Sequence, residues 1–186
     1  MGRVSQAQAQ QNRNSVVEAA ARLFRERGVQ AVSVADLMAE AGLTHGGFYK
    51  RFASKDALVA EATGRAFEEH DARLRSLDEN RPDDHAAARA ALVERYLSAE
   101  HRDDAGAGCP TAALAADVAR EAPGSPARER YADGVEAFGG WLATGDDDEG
   151  LAALSTLVGA LLLARATRGT ELSDRILAAS RAALGG

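Results

Sequence analysis

Cysteine is almost absent: Cys109 is the one thiol in 186 residues. A single thiol cannot close an internal disulfide, so the chain fits a reducing compartment and is not a disulfide-stapled domain. Proline is scarce, at four residues, and long alternating β-branched runs are missing. With alanine abundant, this argues for an all-α chain. No apolar stretch follows the N-terminus. The opening MGRVSQAQAQQNRNS is polar and Gln-rich, unlike a secretory signal. The longest uncharged run, residues 150–164, reads as too short to span a bilayer. A soluble, cytoplasmic protein without membrane contact is expected. Metal-binding His pairs, phosphate loops and nucleophile–base signatures are missing too, and His45, His70, His85 and His101 are scattered. No catalytic residue, metal site or cofactor is therefore expected, and the chain does not read as an enzyme.

What is present is an uneven charge. The chain carries a formal −6. Residues 1–55 hold eight basic against four acidic residues, net +4, and the remainder is at −10. Both lysines of the chain, Lys50 and Lys55, stand at the end of the basic part. A basic head on an acidic body suits phosphate binding by one part and solvation of the other. The acidic body argues against a protein that coats DNA along its whole length.

The stretch SVADLMAEAGLTHGGFYKRF, residues 33–52, organises the head. Ser33 is an N-cap and Asp36, three residues on, completes a capping box. Val34, Leu37, Met38 and Ala41 share a helical face. Gly42 allows the left-handed turn that stops the helix, and Thr44 reads as the N-cap of a second helix with Phe48 and Phe52 on its inner face. Helix, short Gly turn, helix is the helix-turn-helix pattern. The outer face, His45, Gly46, Gly47, Tyr49 and Lys50, has little apolar bulk and suits entry into a major groove.

Around this unit, residues 1–14 read as a flexible arm, with Arg3 and Arg13 available to DNA phosphates. A first helix spans residues 15–27 with Val16, Ala20, Leu23 and Phe24 inward, and Gly28 ends it. Ser54 caps a long helix whose first turn holds Lys55, where an ammonium and free backbone N–H groups point the same way. Three divisions follow: an arm at 1–14, a helix-turn-helix domain at 15–54, and a body at 55–186.

The pattern Ala20, Leu23-Phe24, Gly28, Val34, Leu37, Ala41-Gly42-Leu43-Thr44, Gly47-Phe48-Tyr49, Phe52 and Ser54-Lys55-Asp56-Ala57-Leu58 resembles the N-terminal domain of TetR-type (TetR/AcrR) transcriptional repressors. The resemblance covers about residues 15–60 and implies an all-helical homodimer. Its head would bind a pseudo-palindromic operator in double-stranded DNA, and its divergent body would bind a small-molecule effector. It places Thr44, Tyr49 and Lys55 at phosphates, and His45, Gly46, Gly47 and Lys50 at bases; Ser33 is a further candidate DNA-binding residue. Lys50-Arg51 is more basic than the pair many members carry before the Phe.

In the body, the fourth helix continues from Leu58 through Phe67 to Leu77. The sequence around residues 80–84 breaks it, and a fifth helix is predicted over about 84–101 with Tyr96 on its buried face. Cys109 precedes Pro110, which suits a first helical position. A thiol at a helix cap can be reactive, so a redox sensor, or an enzyme using the helical body, is the alternative function. A small buried residue is the plainer reading. Tyr131, Val135, Phe138, Trp141 and Leu142 recur at helical spacing. Phe67, Tyr96, Cys109, Phe138 and Trp141 are the candidate effector-pocket residues, against the alternative of plain core. The acidic run at residues 146–149 reads as a helix start rather than a metal site. The next helix is apolar nearly all round, so a partner is expected on one side. Leu151, Leu154, Val158, Leu161 and Leu162, with Ile176 of the last helix, are the candidate dimer interface.

Overall fold

The computed structural model describes residues 5–145 and 147–185. Helices account for all regular structure among them. The order is α1 (Gln6–Arg27), α2 (Val34–Glu40), a 3₁₀ turn (His45–Gly47), α3 (Lys55–Glu79), α4 (His85–Tyr96), α5 (Ala99–Asp103), α6 (Pro110–Val118), α7 (Pro126–Leu142), α8 (Asp147–Ala166) and α9 (Glu171–Leu184).

Helix α1 begins well before the predicted residue 15. Ser5 caps it, its hydroxyl accepting the Gln8 N–H at 3.2 Å. Gln8 and Asn12 bond side chain to side chain at 3.0 Å, as do Gln10 and Asn14 at 2.8 Å. This turn-upon-turn pairing and the Ala/Gln composition sustain a helix without an apolar face. Apolar periodicity therefore misses it, and the expected arm is helical from Gln6. Arg3 and Asp146 lie outside the described residues. Arg13 is drawn inward: it pairs with Glu61 at 2.6 Å and stands 4.8 Å over the Phe52 ring.

The predicted fifth helix is two helices. Helix α4 ends at Tyr96, and Ser98 caps the short α5 by accepting the His101 N–H at 3.2 Å. Ser125 and Pro126 open α7, with the Ser125 hydroxyl accepting the Arg128 N–H.

Two apolar clusters form the interior. The first joins Phe24, Leu37, Met38, Phe48 and Phe52 to Leu58, Val59, Ala62 and Ala66 of α3, and continues into Leu114 and Val118 of α6. Head and body thus share one core across the boundary drawn at residue 54. The second gathers α4, α7, α8 and α9 around Phe138, Leu142, Leu154, Leu157 and Leu161. Gly134 lets α7 close onto α3, since a Cβ there would collide with the Phe67 ring.

Helix α8 buries one face, Ala153, Leu154, Leu157, Ala160, Leu161 and Ala164. Leu151, Leu162 and Leu163 remain 41–58% exposed. Leu154 and Leu161, expected at a dimer interface, are instead committed to the chain's own core at 4% and 0% exposure. With a helix apolar all round, periodicity alone cannot tell which stripe faces inward. The segment Asp148–Ala166 is long and apolar enough to cross a membrane by length and composition. The uncharged run within it is confined to residues 150–164, and its buried face belongs to the chain's own core.

Candidate nucleic-acid interface

The capping box at α2 forms as expected. The Ser33 hydroxyl accepts the Asp36 N–H at 3.2 Å, and Asp36 Oδ2 receives the Ser33 backbone N–H at 2.9 Å and its hydroxyl at 2.6 Å. These bonds hold the Asp36 carboxyl below its ordinary range. The Ser33 hydroxyl and backbone N–H both donate to Asp36 inside the cap.

Gly42 makes the turn at φ +68°, and the Leu43 N–H closes onto Met38 O at 2.8 Å. The segment after it differs from the predicted second helix. Residues His45–Gly47 form a 3₁₀ turn, Thr44 makes no side-chain capping bond, and turns follow to Arg51. Two adjacent glycines each disfavour helix by about 1 kcal/mol relative to alanine, which weakens the start of an already short element. What holds it is burial: Phe48 at 0% and Phe52 at 3% exposure, their rings 5.3 Å apart. Arg51 Nη1 bonds back to Gly47 O at 2.6 Å and fixes the turn from its side.

On this anchored base, Thr44, His45, Gly46, Tyr49 and Lys50 are exposed and Gly47 is half-buried. Tyr49 is 71% exposed although Phe48 beside it is fully buried. Its ring meets Phe48 edge-on at 5.1 Å. A large aromatic side chain held outward, next to a free cation and a hydroxyl, can bond phosphate oxygens and base edges.

Lys55 lies at the first turn of α3, which Ser54 caps by accepting the Ala57 N–H at 3.0 Å. The ammonium donates to Val29 O at 2.7 Å. It thus ties α3 to the α1–α2 connection while two of its three protons stay available for a phosphate. The other side of that connection is held by the body, where Asp117 of α6 accepts the Val29 N–H at 2.9 Å. Arg25 of α1, buried to 7% exposure, donates to Gly106 O at 2.8 Å and pairs with Glu69 at 3.0 Å. Sequence reading missed Arg25 and Asp117, because their partners lie 81 and 88 residues away.

The candidate pocket residues separate. Tyr96 and Cys109 line a small cavity of about 40 Å³ together with His70, Arg73, Leu92, Arg95, His101 and Ala107. The other three do not reach it. Phe67 packs against Gly134 and lies edge-on to Tyr131 at 5.7 Å. Phe138 is core, edge-on to His70 at 4.4 Å. Trp141 is at the far corner, its indole N–H donating to Asp78 at 2.7 Å. An aromatic stripe carries no mark of which side faces a void, so spacing alone could not separate these roles. Cys109 is buried, and its backbone N–H donates to His101 Nε2 at 3.1 Å. His101 therefore carries its proton on Nδ1, which donates to Tyr96 O at 2.7 Å. Among the described residues, no group of three or more His, Cys, Asp or Glu is placed to hold a metal ion.

The family model described as "Bacterial regulatory proteins, tetR family" matches residues 16–62. The HTH-type transcriptional regulator Rv0196 of Mycobacterium tuberculosis (strain H37Rv) is 31% identical over 170 residues, covering 84% of this chain and 85% of that protein. TtgR of Pseudomonas putida, an HTH-type transcriptional regulator, is 38% identical over 71 residues. That match spans 38% of this chain and only 34% of TtgR. The M. tuberculosis HTH-type transcriptional repressor KstR2 is 41% identical over 61 residues, 33% of this chain and 30% of its own. A TetR-family regulator from Agrobacterium tumefaciens superposes with a TM-score of 0.76 over 95% of this chain and 97% of its own, at 21% identity, a likeness of fold. Given the match across the head, the relative that spans most of both chains and the fold, this chain belongs to the TetR family of transcriptional regulators.

Proposed function

We propose that this protein is a homodimeric repressor that binds a pseudo-palindromic operator and is released by a small-molecule effector. The observation that carries the reading is the outward turn bearing His45, Gly46, Tyr49 and Lys50 over the buried Phe48 and Phe52. In this reading Thr44, Tyr49 and Lys55 hold phosphates and His45, Gly46, Gly47 and Lys50 meet base edges. The name of KstR2 supports repression for a related head. The exposed Leu151, Leu162 and Leu163 of α8, with the part-exposed Val158 and Ile176, form the face for a second copy. A twofold dimer would present two heads about one DNA turn, ~34 Å, apart. The protein would act on DNA in the cytoplasm.

Release requires an effector that binds one arrangement of the heads better than another. The route starts at the loop 104–109 beside the cavity. Gly106 holds Arg25 of α1, and α6 carries Asp117 to Val29. A shift of loop or helix would pull both ties to the head.

The test is selection of bound sequences from a random duplex library with the full-length protein at moderate salt. Enrichment of an inverted repeat supports specific dimeric recognition. Binding that is salt-sensitive but without enrichment, or no binding at all, refutes it.

A further inference from the structure

The cavity at the α3–α4–α6 junction has an unusual set of donors. Its lining holds two arginines, Arg73 and Arg95, and two histidines, with no aspartate or glutamate, in a chain of net −6. Arg95 is exposed and makes no ion pair or hydrogen bond among the described residues. Arg73 bonds the loop at Ala107 O. Deeper in, His70 Nε2 is buried without a hydrogen-bond partner, and the buried Tyr96 hydroxyl has only the weakly bonding Cys109 thiol beside it, in residues 5% and 3% exposed. A buried polar group left unpaired is costly, so His70 Nε2 and the weakly paired Tyr96 hydroxyl, both on the lining of one cavity, mark a place where something supplies the missing bonds. Burial and the surrounding cations, Arg73 first among them, push His70 down to about 3, which keeps its imidazole neutral.

From this donor set we propose that the cavity binds a small carboxylate bearing a second, neutral oxygen, such as a hydroxy or oxo acid. The carboxylate meets the guanidinium groups of Arg95 and Arg73 at the mouth, where the lining itself holds no acid and Glu69 and Asp104 act on Arg73 from outside it. The second oxygen reaches Tyr96 and His70 at depth, with Leu92 as the apolar wall. A cavity of 40 Å³ takes about three waters, so the ligand is short. The site deepens the effector reading above and rests on it only for its consequence at DNA.

The experiment titrates full-length protein with pyruvate, lactate and 3-hydroxybutyrate by calorimetry, with acetate, lactamide and inorganic phosphate as controls. At least one hydroxy or oxo acid is expected to bind more tightly than acetate and lactamide. Arg95→Gln, at an exposed position, should weaken that binding by about tenfold. Tyr96→Phe keeps the ring and should remove the advantage over acetate. Failure of all three acids to bind at about 10 mM overturns the proposal. So does equal binding of lactamide, or of phosphate with no effect of Tyr96→Phe. Operator affinity, measured separately, distinguishes the two ideas. A bound acid that leaves DNA binding unchanged sustains the site and removes the release reading. Release by a neutral compound alone, with no acid bound, does the reverse.

Discussion

Asp117 and Val29 are 88 residues apart in sequence, yet the Asp117 carboxylate accepts the Val29 backbone N–H at 2.9 Å. Lys55 holds the carbonyl of the same residue at 2.7 Å. The connection between the first two helices of the DNA-binding head is thus clamped on one side by the body and on the other by the long helix. Gly28 adjoins the clamp at φ +81°, where a Cβ would come within 3.2 Å of the Asp117 carboxylate.

Removing the carboxylate tests the clamp. Asp117→Ala leaves a nearly buried N–H without its charged partner and should cost about 1.5–3 kcal/mol. In a chain of this size that is a fall in melting temperature of roughly 3–12 °C, read by thermal unfolding. If the clamp also couples body to head, the variant should keep operator binding and lose part of its release by effector. A variant with unchanged stability would show that the bond carries no free energy.

The side chains proposed to meet DNA should separate by their salt dependence. Lys55→Gln should lower the slope of log affinity against log salt by about 0.9, one phosphate contact. It should also lower stability, because the bond to Val29 is lost. Tyr49→Phe should weaken binding to all sequences alike and leave the slope unchanged, since a hydroxyl releases no counterion. Lys50→Ala should relax preference at its own base pair by about 1–3 kcal/mol in an operator library. An unchanged slope for Lys55→Gln would place its ammonium away from phosphate.

Two leucines of α8 should fail in different ways. Leu162→Asp puts a charge on the exposed stripe and should shift sedimentation from dimer to monomer with the helical fold retained. Leu154→Ala removes buried volume from the chain's own core and should cost about 2–5 kcal/mol whatever the oligomeric state. If Leu162→Asp remained dimeric, another surface would have to join the copies.

Stability should fall in acid through His70. Its folded pKa is down at about 3 against an ordinary 6.5, so below 6.5 the unfolded chain binds a proton that the folded chain refuses. The contribution is complete above pH 6.5 and is lost as pH falls from there towards 3, at up to about 1.4 kcal/mol per pH unit. Denaturant unfolding across this range should show that slope, and His70→Gln should flatten it. Equal slopes in the two proteins would place the acid sensitivity elsewhere.

Local chemistry made much of the head legible from its residues. The Ser33–Asp36 box, the Gly42 turn and the inward Phe48 and Phe52 are short-range features, settled by caps, backbone freedom and spacing within a few residues. The same local logic gave too regular a helix after Thr44, where two glycines and the pull of a buried Phe pair leave a 3₁₀ turn. It read a flexible arm where α1 begins at Gln6, because side-chain amide pairs leave no apolar signature. In the body the amino-acid order determined helices but not their facing. Which stripe of α8 is core, which aromatic reaches the cavity, and which arginines line it were decided by packing between elements distant in sequence. Those contacts have no local pattern, since a leucine or a phenylalanine satisfies an inward and a partner-facing position equally well. Only the folded chain, by bringing Asp117 to Val29 and Arg25 to Gly106, ties the body to the DNA-binding head.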